Sequence, residues 1–183
     1  MNRTCYWIYG PPGSGKTTLA DAMVERNRSL LSFDGGEIRA ALYPDLGFGT
    51  IEREINIKVL ARLAQTAIQS GSSCVVSAVT PMREFRDIAR ATIEIVGGRF
   101  FTIELFGRSS PMWPASTYEG GGADLLFDTS RISADEIAEE VVEMQDRAES
   151  DSQAWEPARL VEVEQDDVAE PTCPHCLATV AAE

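Results

Sequence analysis

Apolar, β-branched segments alternate with helical segments five times along 183 residues. That alternation predicts an α/β fold: a parallel five-stranded sheet with helices on both faces, followed by a short C-terminal tail. Two local observations support it. Cys74-Val75-Val76-Ser77 is apolar without inside–outside alternation, as expected of a strand buried on both faces. Residues Gly10 to Thr17 read GPPGSGKT, a glycine-rich loop that lies between a strand and a helix, where such a loop belongs.

Each element follows from its own residues. Cys5 to Tyr9 is aromatic and β-branched, hence a strand. Thr17 to Val24 has helical spacing, so a helix starts near Lys16. Ser29 to Phe33 is a short strand that runs into the turn Asp34-Gly35-Gly36. Glu37 to Leu42 forms a short helix that stops before Pro44, and Asp45 to Gly49 is a loop. Thr50 to Gln69 is a long helix with Ile55, Val59, Leu60, Leu63 and Ala67 on one face and Arg53, Lys58 and Gln65 elsewhere; Gly71 ends it. After the strand Cys74 to Ser77, Thr80-Pro81 opens a helix from Met82 to about Val96, closed by Gly97-Gly98. Phe100 to Phe106 is a strand, Ser109 to Gly122 a Pro-, Ser- and Gly-rich loop, and Leu125 to Phe127 a short strand ending at Asp128-Thr129. Ser133 caps the last helix, with Glu136 three residues on, and the helix runs to about Arg147. The tail from Ala148 is acidic and lacks periodicity, so the chain divides into a domain at 1–147 and an appendage at 148–183.

The glycine-rich loop carries the first chemical signal. Gly10, Pro11, Pro12, Gly13, Ser14, Gly15, Lys16, Thr17 and Thr18 form a cradle in which backbone N–H groups and a helix N-terminus face a phosphate. Lys16 is placed to reach the β and γ phosphates and the Thr17 hydroxyl to ligate Mg²⁺. The chain is therefore expected to bind a nucleoside triphosphate together with Mg²⁺. In a parallel sheet ligands sit at the carboxyl ends of the strands, which gathers the loop, Asp34, Ser77 to Pro81 and Gly107 around one crevice. Asp34 could orient Mg²⁺ or accept a proton from an attacking hydroxyl. Arg39, Arg53 and Arg83 come from three elements and suit a phosphate or sulfate. Asn56 can hydrogen-bond a substrate or a loop, and Phe48 can stack on a base or fill the core.

Composition narrows the class. A net charge of −13 argues against a protein that grips nucleic acid, although a local cationic pocket for a small anion stays open. No apolar run is long enough for a membrane span and the N-terminus does not read as a secretory signal, so a cytoplasmic protein is expected. Cys5 and Cys74 fall in strands and are expected to be buried free thiols. Cys173-Pro174-His175-Cys176 is a knuckle whose two thiolates could share Zn²⁺, with a second copy of the chain supplying further ligands in a homodimer; an inert tail is the competing expectation.

The blocks Asp34-Gly35-Gly36-Glu37-Ile38-Arg39, then Asp45-Leu46-Gly47-Phe48 with Arg53 and Asn56, then Ser77 to Arg83 with Arg86 and Arg90, resemble in order and spacing the adenylylsulfate kinases. Those P-loop kinases phosphorylate the 3′-hydroxyl of adenosine 5′-phosphosulfate (APS) with MgATP. The resemblance resumes at Tyr118-Glu119 and runs through Asp128-Thr129 to the last helix. It implies Lys16 and Asp34 as catalytic residues, and Arg39, Phe48, Arg53, Asn56, Thr80 and Arg83 around the acceptor. The chain departs from the family pattern at Gly36, where the family has a second aspartate, at Lys58 and Val59, where it has two arginines, and at Thr80, where it has serine. The family's lid segment is replaced by a short stretch in which Arg108 and Trp113 are the candidate substitutes. A kinase for another acceptor, such as a nucleotide, a modified base or a polynucleotide end, and a non-catalytic nucleotide-binding regulator are the two alternatives.

Overall fold

The computed structural model describes residues 3–107 and 118–150. Five parallel strands, β1 (Thr4–Tyr9), β2 (Leu31–Asp34), β3 (Cys74–Ser77), β4 (Arg99–Phe106) and β5 (Leu125–Asp128), form one sheet in the order β2-β3-β1-β4-β5. The helices are α1 (Lys16–Arg26), α2 (Gly35–Leu42), α3 (Thr50–Gln69), α4 (Arg83–Glu94) and α5 (Ala134–Ser150). The expected fold class is therefore the one found.

The two faces of the sheet make two cores, sorted by the period-2 alternation of β1. Cys5, Trp7 and Tyr9 pack with Leu60, Ala64, Phe85 and Ile93 of α3 and α4. Tyr6 and Ile8 point the other way and pack with Leu19, Met23, Ile137 and Val141 of α1 and α5. Cys5 and Cys74 are opposite each other in the β1–β3 register, both buried and both free, as expected. Burial, followed by its neighbour Cys74, pushes the Cys5 thiol upward, so neither chemistry nor exposure marks it as reactive.

Two boundaries and one helix face differ from expectation. The turn at Asp34-Gly35-Gly36 is the first turn of α2, because the Asp34 carboxylate caps the helix by accepting from the N–H groups of Gly36 and Glu37. The buried face of α3 is Ile57, Leu60, Ala61, Ala64, Ala67 and Ile68, while Ile55 is exposed; Gln65 turns inward because its amide donates to the Thr92 carbonyl and accepts from Arg62. Helix α5 continues to Ser150, three residues past its expected end. Its start is as expected: Ser133 and Glu136 bond reciprocally as a capping box. No helix among the described residues is long and apolar enough to cross a membrane.

Leu60 is fully buried between α3 and the sheet, whereas Ile95 is 80% exposed. Leu60→Ala is expected to lower unfolding free energy by about 2–5 kcal/mol, and Ile95→Ala by less than about 0.5 kcal/mol. Urea denaturation of the two variants checks this.

Candidate active site

Strand β1 delivers the chain at Gly10, whose φ of 151° and closeness to the Leu105 carbonyl leave no room for a Cβ. Gly13 and Gly15 take φ of 82° and 90°, so the loop curls back and α1 starts at once from Gly15. Lys16 Nζ folds over the loop, donating to the Pro11 carbonyl at 2.7 Å and to Ser14 Oγ at 3.4 Å. Burial pushes its pKa down to about 8, and the charge of Asp34 only partly restores it. Both of its hydrogen-bond partners are neutral, so neither competes with a phosphate in the loop as a hydrogen-bonded carboxylate would.

Asp34 is the junction of the site. Its Oδ2 accepts from Thr17 Oγ at 2.8 Å and from Ser77 Oγ at 2.7 Å. Its Oδ1 accepts from the N–H groups of Gly36 at 2.8 Å and Glu37 at 3.0 Å. Burial raises the carboxyl, but the bonds from Ser77, Glu37, Thr17 and Gly36 together outweigh it and hold Asp34 below the usual range. A carboxylate so well solvated by the protein is a weak base. Of the two roles expected of it, the geometry favours orienting a cation over accepting a proton.

Two cavities flank this junction. The first, of about 230 Å³, is lined by Lys16, Thr17 and Asp34, by Arg39, Phe48, Arg53 and Asn56, and by Ser77 to Pro81. Phe48 fills no core: it is 71% exposed, with the guanidiniums of Arg39 and Arg53 at 4.3 and 5.8 Å from its ring centre. Arg39 donates to the Leu46 carbonyl and Arg53 to that of Phe48, which fixes both forks on the loop between α2 and α3. Burial, and then the charge of Arg39, lower the pKa of Arg53. Asn56 Nδ2 donates to the Gly35 carbonyl, while its buried Oδ1 has no hydrogen-bond partner. An orphan acceptor in a cationic cavity calls for a donor on a ligand.

Two expected acceptor residues sit otherwise than expected. Thr80 lines the cavity, but its hydroxyl is taken: it accepts from Trp7 Nε1 at 2.9 Å. Arg83 is exposed at the start of α4 and does not line the cavity. The buried arginine of that helix is Arg86, one turn on, because that position faces the sheet.

The second cavity, of about 620 Å³, lies on the opposite side of the glycine loop, where Gly13, Gly15 and Thr18 meet Thr129 to Ile137. Sequence reasoning missed it. The available signal was the polar turn Asp128-Thr129-Ser130 ending the strand two places from β1 in the sheet. Asp128 Oδ1 accepts from the N–H and hydroxyl of Ser130, which hold that carboxyl low and set the turn. Arg108, Trp113, Cys173, His175 and Cys176 lie outside the described residues. Among the described residues no group of three or more His, Cys, Asp or Glu side chains could hold a metal.

With that geometry in place, the profile of the adenylylsulphate kinase family matches residues 2–110. The chain belongs to that family. Curated relatives include a probable adenylyl-sulfate kinase of Archaeoglobus fulgidus, 40% identical over 92 residues that cover 48% of this chain and 59% of the relative. Another, of Bacillus subtilis, is 38% identical over 101 residues, covering 53% and 50%. The chain thus spans little more than half the length of these relatives. The APS kinase of Mycobacterium tuberculosis in complex with AMPPNP and APS shares the fold at 24% identity, with a TM-score of 0.69 over 79% of this chain and 98% of that one. A gluconokinase from Sinorhizobium meliloti shares it at 20% identity and a TM-score of 0.57, covering 80% and 94%. The fold itself therefore leaves the acceptor open.

The depressed pKa of Lys16 sets a pH dependence. Folded Lys16 loses its proton near pH 8, the unfolded chain near 10.5. Between those values the unfolded state binds more protons, so Lys16 makes stability rise as pH rises; below about 8 its penalty is complete. Lys16→Met is expected to be more stable than the parent below pH 8 by about 1–2 kcal/mol, a figure discounted for solvent screening. The gap should close by pH 10.5, and denaturant titrations across that range measure it.

Proposed function

We propose that the chain is an ATP-dependent kinase that transfers the γ-phosphoryl group to a hydroxyl of a small anionic acceptor, and that the acceptor is APS. The observation that carries this reading is the position of Lys16, Thr17 and Asp34 between two cavities of opposite character. ATP phosphates lie on residues 10–18, with the base and ribose in the larger cavity by Thr129. The acceptor lies in the smaller one, its anionic group between Arg39 and Arg53 and its base against the open face of Phe48. Two cations of like charge on one ring favour an anion strongly, since each lowers the cost of bringing it to the other. A donor on the acceptor satisfies Asn56 Oδ1. Family membership and the named relatives support the same acceptor.

The chemistry follows from placement. The bond from the γ-phosphorus to the bridging oxygen breaks, with ADP as the leaving group, as the bond to the acceptor hydroxyl oxygen forms and the hydroxyl proton passes to solvent, through a loose transition state that asks more of positioning than of a base. Lys16 stabilises charge on the phosphoryl oxygens. Thr17 Oγ1 and Asp34 Oδ2 are hard oxygen donors 2.8 Å apart and fit Mg²⁺, which when bound would neutralise phosphate charge.

Incubation of the purified chain with MgATP and APS is expected to release ADP in step with APS consumption. Lys16→Ala should cut that rate by about 100-fold or more with the far-UV circular dichroism unchanged. Acceptor-dependent ADP release with APS absent, but with nucleotides or DNA ends present, would transfer the proposal to another acceptor; no release with any acceptor would leave nucleotide binding alone.

A further inference from the structure

Thr80 is the one non-glycine residue with positive φ among the described residues, at 38°. A β-branched side chain in that region costs on the order of 1–3 kcal/mol, and such strain persists only where the surroundings over-determine it. Here they do. Thr80 is 1% exposed, its hydroxyl accepts from Trp7 Nε1 at 2.9 Å, and its carbonyl accepts from Arg86 Nη1 at 3.1 Å. The strained residue lines the smaller cavity, as do Arg39 and Arg53.

Arg86 is itself anchored from outside its helix. Its Nη2 donates to the carbonyls of Glu119 at 2.8 Å and Gly121 at 3.4 Å. Its guanidinium stands 4.5 Å over the Tyr9 ring. Tyr9 and Tyr118 both donate to the buried Glu104 carboxylate, which also accepts from the Gly121 N–H. Glu119 closes the ring: its N–H donates to the Pro81 carbonyl and its carboxylate accepts from the Arg83 N–H, both at 2.7 Å. One planar fork thus spans Thr80 and the 118–121 segment, which a single ammonium group cannot do as well.

We propose that Arg86 is a positioning residue for the acceptor, acting through Thr80: with Trp7 it holds the strained backbone that shapes one wall of the acceptor cavity. This rests on the assignment of that cavity to the acceptor. Released from Arg86, Thr80 relaxes toward negative φ, the peptides on either side of it rotate, and the wall between Ala78 and Pro81 moves. The nucleotide cavity, on the far side of the glycine loop, is untouched.

The test is Arg86→Gln and Arg86→Lys, each with and without Thr80→Gly, in the full chain. Arg86→Gln is expected to raise the KM for APS about tenfold, with kcat and the KM for ATP within about twofold of the parent, and Arg86→Lys to give a smaller rise. Glycine takes φ of 38° without strain, so in the Thr80→Gly background the Arg86→Gln effect should shrink to under about threefold. Additive effects, or an ATP KM that rises as far as the APS KM, would overturn the proposal, because a merely structural role loosens both sides. A second readout needs no acceptor. Hydrogen exchange of the Trp7 indole N–H, followed by NMR, should quicken about tenfold in Arg86→Gln or, where that chain does not fold, in Arg86→Lys; an unchanged rate overturns the clamp. A parent chain that binds and consumes no APS would instead refute the acceptor assignment, and the indole exchange would still decide the clamp.

Discussion

The Asp34 carboxylate holds the site together. Four donors from three elements converge on its two oxygens: Thr17 from the first turn of α1, Gly36 and Glu37 from the first turn of α2, and Ser77 from the end of β3. Each bond would be modest alone. Together they register the glycine loop against the neighbouring strands and keep the aspartate ionised inside a partly desolvated crevice. One side chain thus serves as helix cap and as the tie between the glycine loop and β3.

Around that junction the sheet order decides what can be brought together. β1 is central, with β3 on one side and β4 on the other. The loop after β1 therefore has the Asp34 and Ser77 ends to one side and the Gly107 and Asp128 ends to the other, which is why two cavities flank it. The cavity on the β3 side is cationic and carries an aromatic ring; the one on the β5 side is roomier and lined by a polar turn. The first is built with strain, at Thr80, and the second without it. Strain concentrated on one wall is consistent with a cavity whose shape matters more than its depth.

Much of this was legible in the residues. The glycine loop, the parallel sheet implied by alternation, the capping pair Ser133 and Glu136 and the buried Cys5 and Cys74 follow from local rules of period and turn chemistry, whereas the strand order, with β3 between β2 and β1, does not. The rest depends on long-range pairing. Helical spacing alone could not say that Arg86 turns inward and Arg83 outward, because both sit on a polar stretch and only the carbonyls of Thr80, Glu119 and Gly121 make burial of one affordable. Phe48 looks like core by composition, yet two guanidiniums from separate helices give it a place at the surface. Glu104 reads as a misfit in an apolar strand until Tyr9 and Tyr118 are seen to donate to it. For Arg86 and Glu104 the deciding partners, Glu119 and Gly121 in one case and Tyr9 in the other, are remote in sequence, and a single chain carries no record of them.

The central claim is that donor and acceptor occupy separate cavities at the same time, on either side of the glycine loop. Calorimetric titration of APS into the chain saturated with Mg²⁺ and AMPPNP tests it most directly. The account predicts one APS bound per chain with AMPPNP retained, and loss of that APS heat in Arg53→Ala while AMPPNP still binds. APS that displaces AMPPNP, or that binds only when AMPPNP is absent, would mean a single shared site and would contradict the account.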